Sequence, residues 1–326
     1  MWDLLALPFM QRALIAAVLS GLVAPAIGMF IVQRRLSLLG DGLGHVAVMG
    51  VGFAMLTNTA PLPVAILTAV VGAVVVELLR QRGKASGDLG IAVLFYGGIA
   101  AGVMMAGISG QGAAGLSGFL FGSLTSVTTT DLWVIAVLGL VILVLTVGLL
   151  PRLFALVADE DYARVQGIRT SALNLLIVVL AALTVTLSMR TVGLLLISAL
   201  MVLPVATAQQ LFVGFRAAFF GSMAVGVASA LVGVTGSFYL DSAPGATIVV
   251  AAIALLALSW AVSGPLERSR RYVPYVEDHG QVAHQVADNH IAVDTDNLVT
   301  IQHGDHVDYV HDGHRHARHG DHYDEH

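Results

Sequence analysis

The sequence contains no cysteine and few charged residues, and both shortages restrict the kind of protein that it encodes. Without cysteine the chain has neither disulfide bonds nor thiolate metal sites. Asp, Glu, Lys and Arg make up 11% of its 326 residues, whereas soluble domains carry about 25%. Hydrophobic residues make up 57%, and the mean hydropathy is +0.84. This composition predicts a multi-pass protein of the cell membrane, with lipid around it.

Two catalytic motifs are also missing. The chain lacks the phosphate-binding pattern G-x-x-x-x-G-K-(S/T), so it does not hydrolyse ATP by itself. It also lacks H-E-x-x-H, which a membrane metalloprotease of the common type requires. We therefore expect a protein that is not an enzyme, with no catalytic residues, no permanently bound cofactor and no nucleic-acid partner.

About nine segments are apolar enough over the roughly 20 residues that a membrane span needs. Together they predict an all-α, polytopic membrane domain over residues 1–265. The segments are 10–32, 37–57, 61–79, 89–107, 132–150, 171–188, 192–212, 217–236 and 246–263. The last segment is followed by a tail, 266–326, of different composition.

Basic residues lie in every second connection between these segments. They are Arg34 and Arg35; Arg80, Arg82 and Lys84; Arg152, Arg164 and Arg169; Arg216; and Arg268, Arg270 and Arg271. Cytoplasmic connections carry the excess of Lys and Arg in membrane proteins. The pattern therefore predicts an N-terminus outside the cell and a cytoplasmic C-terminus.

Three smaller features also carry structural expectations. The connection 108–131 is too apolar for a solvated loop and too short for a span, so we predict a short helix or re-entrant segment packed on protein. Asp131 follows three threonines and precedes an apolar run, which favours a role in capping a helix. Glu77 and Asp88 adjoin basic residues at span ends, where we expect solvated charges.

The most informative stretch is 33–52, QRRLSLLGDGLGHVAVMGVG, because it places two ionisable residues inside an apolar run. Asp41 and His45 are four residues apart, so a helix stacks them on one face. Ionisable groups at that depth are costly and by default indicate an ion or substrate path. A carboxylate and an imidazole are also suitable ligands for a divalent transition metal. The alternative is a hydrogen-bonded pair that holds helices together.

The loop between the fifth and sixth segments contains a short acidic helix pattern. Asp159 and Glu160 stand where a helix begins, and Gly167 stands where one ends. We predict a short amphipathic helix at about 157–168, on the cytoplasmic face, of the kind that docks into a partner's groove.

The tail differs from the rest of the chain in composition. Eleven of the twelve histidines lie beyond Val276, interleaved with Asp and Glu. Because the tail has no apolar period that builds a core, we expect disorder in the metal-free state. Neutral imidazole is the commonest metal ligand, so we predict metal binding by His303, His306, His311, His314, His316, His319, His322 and His326.

Three segments together resemble one protein family. RRLSLLGDGLGHVAVMGVG is similar to the second-helix signature of the permeases of zinc, manganese and iron ABC importers, which reads R-R-x-(apolar)-GDALSHAVLPG. ADEDYARVQG resembles the coupling-helix segment of that family, and GLLLISALMVLPVATAQQL resembles its proline-containing segment. Here Gly44 replaces the serine of A-L-S-H and Met49 replaces the proline of L-P-G.

The resemblance implies a fold, a set of partners and a site. The fold is that of type II, cobalamin-type importers, and the permease is a homodimer that an extracellular or periplasmic metal-binding protein supplies. Two cytoplasmic ATP-binding subunits provide the energy. Asp41 and His45 then bind the metal in transit, either Zn²⁺ or Mn²⁺. Asp159 and Glu160 meet basic residues of the ATPase, and Tyr162 and Ala163 enter its groove.

We expect zinc ahead of manganese, because the histidine excess favours zinc and manganese prefers oxygen ligands. The chief alternative function is a secondary zinc transporter that runs on an ion gradient. Such a transporter also accounts for the Asp–His pair, but it gives the acidic loop no purpose.

Overall fold

The computed structural model describes residues 7–82, 87–110, 112–123, 125, 127–189, 191–194 and 196–270, with strand residues 284–285, 299–303, 306–311, 314–319 and 322–325. The chain divides into two compact units, Met1–Leu266 and Glu267–His326. The first is helical throughout its regular structure. Its helices are α1 (Pro8–Gln33), α2 (Leu39–Thr57), α3 (Pro61–Gln81), α4 (Gly87–Ile108), α5 (Gly112–Phe121), α6 (Thr129–Gly148), α7 (Leu150–Ala158), α8 (Glu160–Val165), α9 (Thr170–Ser188), α10 (Ile197–Leu211), α11 (Phe215–Leu240) and α12 (Pro244–Arg270).

Each predicted span contains a helix, but the spans are not equivalent. Among the described residues, seven helices are long and apolar enough to cross a membrane, namely α1, α2, α3, α6, α9, α11 and the part Pro244–Ala261 of α12. The described apolar parts of α4 and α10 are shorter, Ala92–Ile108 and Ile197–Leu211. The predicted span 192–212 becomes helical only at Ile197, because the chain turns before it and Gly193 has a φ of 88°.

Helices α1 and α2 lie in the interior of the bundle. Both are mostly buried, whereas α3, α6 and α12 are mostly exposed. The exposed side chains of α6 are apolar, among them Trp133, Leu140 and Val144. Lipid tails are as apolar as these side chains, so an apolar exterior suits a membrane. Helix α2, which carries Asp41 and His45, packs against α3 and α4.

The predicted short helix within 108–131 is confirmed as α5. Its C-terminal part packs on the turn before α10, where the Leu194 amide donates to the Phe119 carbonyl over 2.9 Å. The capping role of Asp131 is also confirmed. Its carboxylate accepts from the Thr128 amide at 3.1 Å, and the Thr128 hydroxyl accepts from the Asp131 amide at 3.1 Å, which is a capping box.

The expectation for Glu77 is wrong. Its side chain is 2% exposed, and both carboxylate oxygens accept from the Arg80 guanidinium at 2.9 Å. Gln81 also donates to Glu77 at 2.9 Å and accepts from the Ser171 hydroxyl of α9 at 2.5 Å. These bonds compensate the buried carboxylate, which is why the residue tolerates burial. The side chain of Asp88 lies outside the described residues.

The described part of the second unit is an antiparallel sheet, which differs from the disorder that its composition predicts. Its strands are β1 (His284–Gln285), β2 (Val299–His303), β3 (His306–His311), β4 (His314–His319) and β5 (His322–Glu325), in the order β1-β5-β4-β3-β2. The sequences between β2, β3, β4 and β5 are Gly-Asp, Asp-Gly and Gly-Asp, pairs that two-residue hairpin connections prefer. Val and Tyr in β2 and β3 add strand propensity.

Candidate functional site

Asp41 and His45 lie one turn apart on α2, as their spacing predicts. Asp41 stands in the first turn of the helix, where the dipole favours a carboxylate. His45 is 5% exposed, and Asp41 is partly buried. The helix runs without interruption from Leu39 to Thr57. This continuity fits Met49 standing where the resembling family has proline.

The His45 ring is held in one orientation by its own helix. Nδ1 lies 2.7 Å from the backbone carbonyl oxygen of Asp41. Because a carbonyl only accepts, Nδ1 carries the hydrogen, and the lone pair of a neutral ring resides on Nε2. The ring also packs on Phe95 of α4, with centroids 4.0 Å apart. The imidazole is therefore prepared as a ligand through Nε2.

The Asp41 carboxylate is held by a different helix. The Ser198 hydroxyl, in the first turn of α10, donates to Oδ1 of Asp41. Ser198 was not among the predicted site residues, although it lies in the segment 193–211 that contributed to the resemblance. The sequence does show a hydroxyl within an apolar segment, but only the fold shows that this segment contacts Asp41.

Gly44, which stands in place of the family's serine, faces the turn that precedes α10. A Cβ at this position would lie 3.0 Å from the Leu194 carbonyl oxygen, tighter than most Cβ contacts. The chain thus lacks a hydroxyl one residue before His45 and supplies one from Ser198 of α10 instead.

Gly98 lets α4 approach α2 directly at the site. A Cβ on Gly98 would lie 2.5 Å from the backbone carbonyl carbon of His45. No side chain fits at that distance, so the glycine is required by the close approach of the two helices. This contact fixes the backbone from which the imidazole extends.

Two protein ligands are too few for a tight metal site. Within the described side chains of the helical unit, no group of three or more His, Asp or Glu residues is placed to hold a metal ion. Structural zinc sites use four ligands. A carboxylate and an imidazole alone suit weak, reversible binding, which an ion that passes through requires.

The predicted acidic helix is present as α8, with both predicted ends. Asp159 is its N-cap and accepts from the Tyr162 amide at 2.9 Å. Gly167 has a φ of 79°, its amide donates to the Arg164 carbonyl, and the Ile168 amide donates to the Ala163 carbonyl. These two bonds form a Schellman motif, which stops the helix.

The side chains of α8 do not all face outward. Tyr162 is 60% exposed and Val165 is 86% exposed, whereas Ala163 is fully buried within the chain. The expectation that Ala163 enters a partner's groove therefore needs correction. Ala163 packs α8 against its own domain, and Val165 of the same helix is exposed instead.

Glu160 is also engaged within the chain. It accepts from Arg34, at the end of α1, over 3.0 Å, and from Asn174 of α9 over 3.1 Å. Arg34 donates to Asn174 as well. Burial lowers the pKa of the Arg34 guanidinium, the charge of Arg80 lowers it further, and Glu160 and Glu77 raise it. We call Arg34, Glu160 and Asn174 the α1–α8 clasp.

The predicted tail ligands lie on strands, except His326, which is outside the described residues. His303 ends β2; His306 and His311 bound β3; His314, His316 and His319 lie on β4; and His322 begins β5. The register pairs three of these histidines with three others, at His303 and His306, His311 and His314, and His319 and His322.

The helices and the site together define a class: a polytopic membrane protein whose apolar bundle encloses a carboxylate and an imidazole. The family follows from comparison with known proteins. The model of the ABC 3 transport family matches residues 6–263, and the chain belongs to this family. The matched region covers α1 to α11 and most of α12.

Individual relatives agree with this membership. The chain is 32% identical over 259 residues to the manganese transport system membrane protein MntC of Halalkalibacterium halodurans, covering 79% of this chain and 88% of the relative. It is 26% identical to the high-affinity zinc uptake system membrane protein ZnuB of Haemophilus influenzae, covering 76% and 95%. The solved structure of PsaBC from Streptococcus pneumoniae in complex with Fab is 27% identical and aligns with a TM-score of 0.72, covering 79% and 92%.

Proposed function

We propose that the chain is the membrane-spanning permease subunit of an ATP-driven importer of divalent transition metal ions. The observation that supports this most directly is the pair Asp41 and His45 on α2. His45 is buried with Nε2 left for a ligand, and the carboxylate of the partly buried Asp41 accepts from Ser198 through Oδ1. Relatives named for manganese transport and for zinc uptake point to the same class of substrate.

Between the two metals we propose zinc first and manganese second. Imidazole suits zinc, whereas manganese favours oxygen ligands. The histidine-rich tail adds to this preference, since eleven further histidines follow the permease domain.

The remaining ligands come, in this proposal, from outside the pair. The permease forms a homodimer of the type II, cobalamin-type fold, with its N-terminus outside and its C-terminus in the cytoplasm. An Asp41–His45 pair from each subunit, water or backbone carbonyls then complete the coordination of the ion. An external metal-binding protein delivers the ion to the outer mouth of the dimer.

The ATPase-docking surface in this proposal is α8. Tyr162 and Val165 are exposed on it, and its acidic N-terminal turn suits a basic rim on each of two cytoplasmic ATP-binding subunits. Within the chain, Glu160 pairs with Arg34 and Ala163 is buried, and both contacts hold α8 on the permease. Closure of the ATPases then moves α8, and the path opens alternately outward and inward.

The test is metal uptake by proteoliposomes that contain the permease and its ATP-binding subunits. We expect Asp41→Asn and His45→Ala to abolish uptake of zinc, with manganese tested in competition, while the complex still assembles. The control is Asp241→Asn, which removes a carboxylate in the left-handed C-cap of α11, where Asn is well tolerated. Uptake that survives both substitutions contradicts the proposal, and loss of assembly indicates a structural pair.

The same preparation separates the proposal from a gradient-driven transporter. We expect uptake to require ATP and the ATP-binding subunits. Uptake by the permease alone, driven by a proton or ion gradient, contradicts an ATP-driven importer.

A further inference from the structure

The tail ends in a repeat that the fold turns into three similar hairpins. Residues 303–326 read HGDHVDYV, HDGHRHAR and HGDHYDEH, three consecutive units of equal length. In each unit the first and fourth positions are His, and the sixth is Asp, His and Asp in turn. The three position sets are His303, His306 and Asp308; His311, His314 and His316; and His319, His322 and Asp324.

The strand register brings these three positions together in each unit. The first and fourth are direct cross-strand partners, in the pairs His303 and His306, His311 and His314, and His319 and His322. The sixth position follows the fourth by two residues on the same strand. Directly opposite residues and alternate residues of one strand share a face of a sheet. Each hairpin therefore holds its three residues on one face.

The spacing suits a shared metal ion. Cross-strand partners have Cβ atoms about 5 Å apart, and alternate residues of a strand are about 7 Å apart. Zinc–ligand bonds to imidazole nitrogen and carboxylate oxygen are about 2.0–2.2 Å long, so strand positions at this spacing are compatible with one shared ion. The composition of the tail does not by itself define a ligand set. The positions of the residues on the sheet define three sets of three residues.

The three hairpins do not share one face. Asp308 and Asp324 both lie opposite Ala317, so the first and third sets are on one face. His316 is the neighbour of Ala317 on β4 and lies opposite Tyr309 and Glu325, which places the second set on the other face. The two kinds of set are therefore separated by the sheet.

We propose that each hairpin binds one divalent transition metal ion, zinc in the first instance, at two His–His–Asp sites on one face and one His–His–His site on the other. Three protein ligands leave a coordination position open, which suits ions that exchange rather than a permanent structural ion. The proposal concerns the tail alone and does not rest on the transport function.

The test is equilibrium dialysis of the full-length protein in detergent against zinc alone. We expect about three more zinc ions per chain than in a variant that ends at residue 298, since each of the three ligand sets holds one ion. The pairs His303→Asn with His306→Asn, His311→Asn with His314→Asn, and His319→Asn with His322→Asn each remove one ion. The control, His279→Asn with His290→Asn, lies outside the repeat and removes none.

A second variant separates register from composition. Exchanging two neighbours, His306→Val with Val307→His, keeps the composition and moves the imidazole to the other face. We expect this exchange, and the conservative variant Asp308→Asn, to remove the first ion. Full zinc binding by the exchanged chain, or loss in proportion to the number of histidines removed, overturns the proposal. Initial zinc uptake by the same variants at low external zinc stays unchanged, so failure here is distinct from failure of the transport function.

Discussion

At Asp41 a single residue holds two partners through different atoms. Its backbone carbonyl fixes the His45 ring at 2.7 Å, and its carboxylate accepts from Ser198. The first bond lies within α2 and moves with that helix. The second joins α2 to α10, so a change in the position of α10 acts on the carboxylate and leaves the imidazole orientation intact.

The role of Ser198 is testable by removing its hydroxyl. We expect Ser198→Ala to weaken the apparent affinity for zinc in the uptake assay by about 10-fold, the lower end for groups that orient a metal ligand, because the carboxylate loses the bond that orients it. The control is Ser229→Ala, since Ser229 is also buried but donates to the Val225 carbonyl of its own helix, at 2.8 Å. Equal effects of the two substitutions contradict an orienting role.

Residues of the site differ in how far sequence predicts them. Asp41 and His45 were predictable because their spacing matches a helical turn and their apolar setting makes them conspicuous. Ser198 was not, since its partner is on another helix and hydroxyls are common in membrane helices. Ala163 was predicted at the wrong surface, because a short amphipathic helix does not by itself show which face meets its own domain.

At the α2–α4 interface, Gly98 is in close contact with α2 and its neighbour Gly97 is not. Gly98 faces the His45 backbone, whereas Gly97 has open space around its Cβ position. Both stand in the same turn of α4 and differ only in the direction of the missing side chain. Substituting Gly98 and Gly97 separately therefore tests how closely α2 and α4 must approach each other.

We expect Gly98→Ala to lower the free energy of unfolding by about 1–3 kcal/mol, because the added methyl group overpacks the interface. Gly97→Ala is expected to be neutral or stabilising, by up to about 1 kcal/mol, from helix propensity alone. Thermal unfolding of the purified permease in detergent gives both values. A stable Gly98→Ala protein contradicts the close approach of α4 to α2.

The C-terminal stop of α8 makes a second prediction for a single helix. Gly167 has a positive φ and no atom within 4 Å of its Cβ position, so an alanine is strained but not crowded. We expect Gly167→Ala to destabilise the end of α8 by about 1–2 kcal/mol and to reduce ATP-driven uptake. Gly148→Ala is the control, since Gly148 is equally uncrowded without a positive φ. Unchanged uptake by Gly167→Ala contradicts a need for a well-defined α8.

Elements were predicted well where hydropathy decides them and poorly where tertiary contacts do. The apolar helices follow from the lipid environment, which forces backbone groups to pair within each segment. The late start of α10 depends on the turn at Gly193, which packs against α5. The tail sheet depends on pairing between polar strands, and the tail sequence has no apolar period from which the sheet could be predicted.

On the scale of the whole molecule, the permease and the tail are separate compact units. The family match ends at residue 263, before the second unit begins. The apolar core that holds the bundle lies within the first unit, up to Ile248. Stability of the bundle therefore depends on residues that precede the tail.

We expect deletion of residues 277–326 to leave membrane insertion and the thermal unfolding temperature of the permease unchanged. Initial uptake at low external zinc should also persist. A tail that senses zinc and slows uptake predicts in addition that the rate falls at high external zinc in the full-length protein and not in the truncated one. Uptake measured across external zinc concentrations checks both statements. Unchanged feedback contradicts a regulatory tail, and loss of the bundle contradicts two separate units.

The α1–α8 clasp has a mechanical consequence. Arg34 is the C-cap of α1 and stands just ahead of the turn that leads into α2, so its ion pair with Glu160 ties α8, the proposed ATPase-docking helix, to the start of the helix that carries Asp41. A displacement of α8 is therefore transmitted to Asp41 through the short connection between α1 and α2.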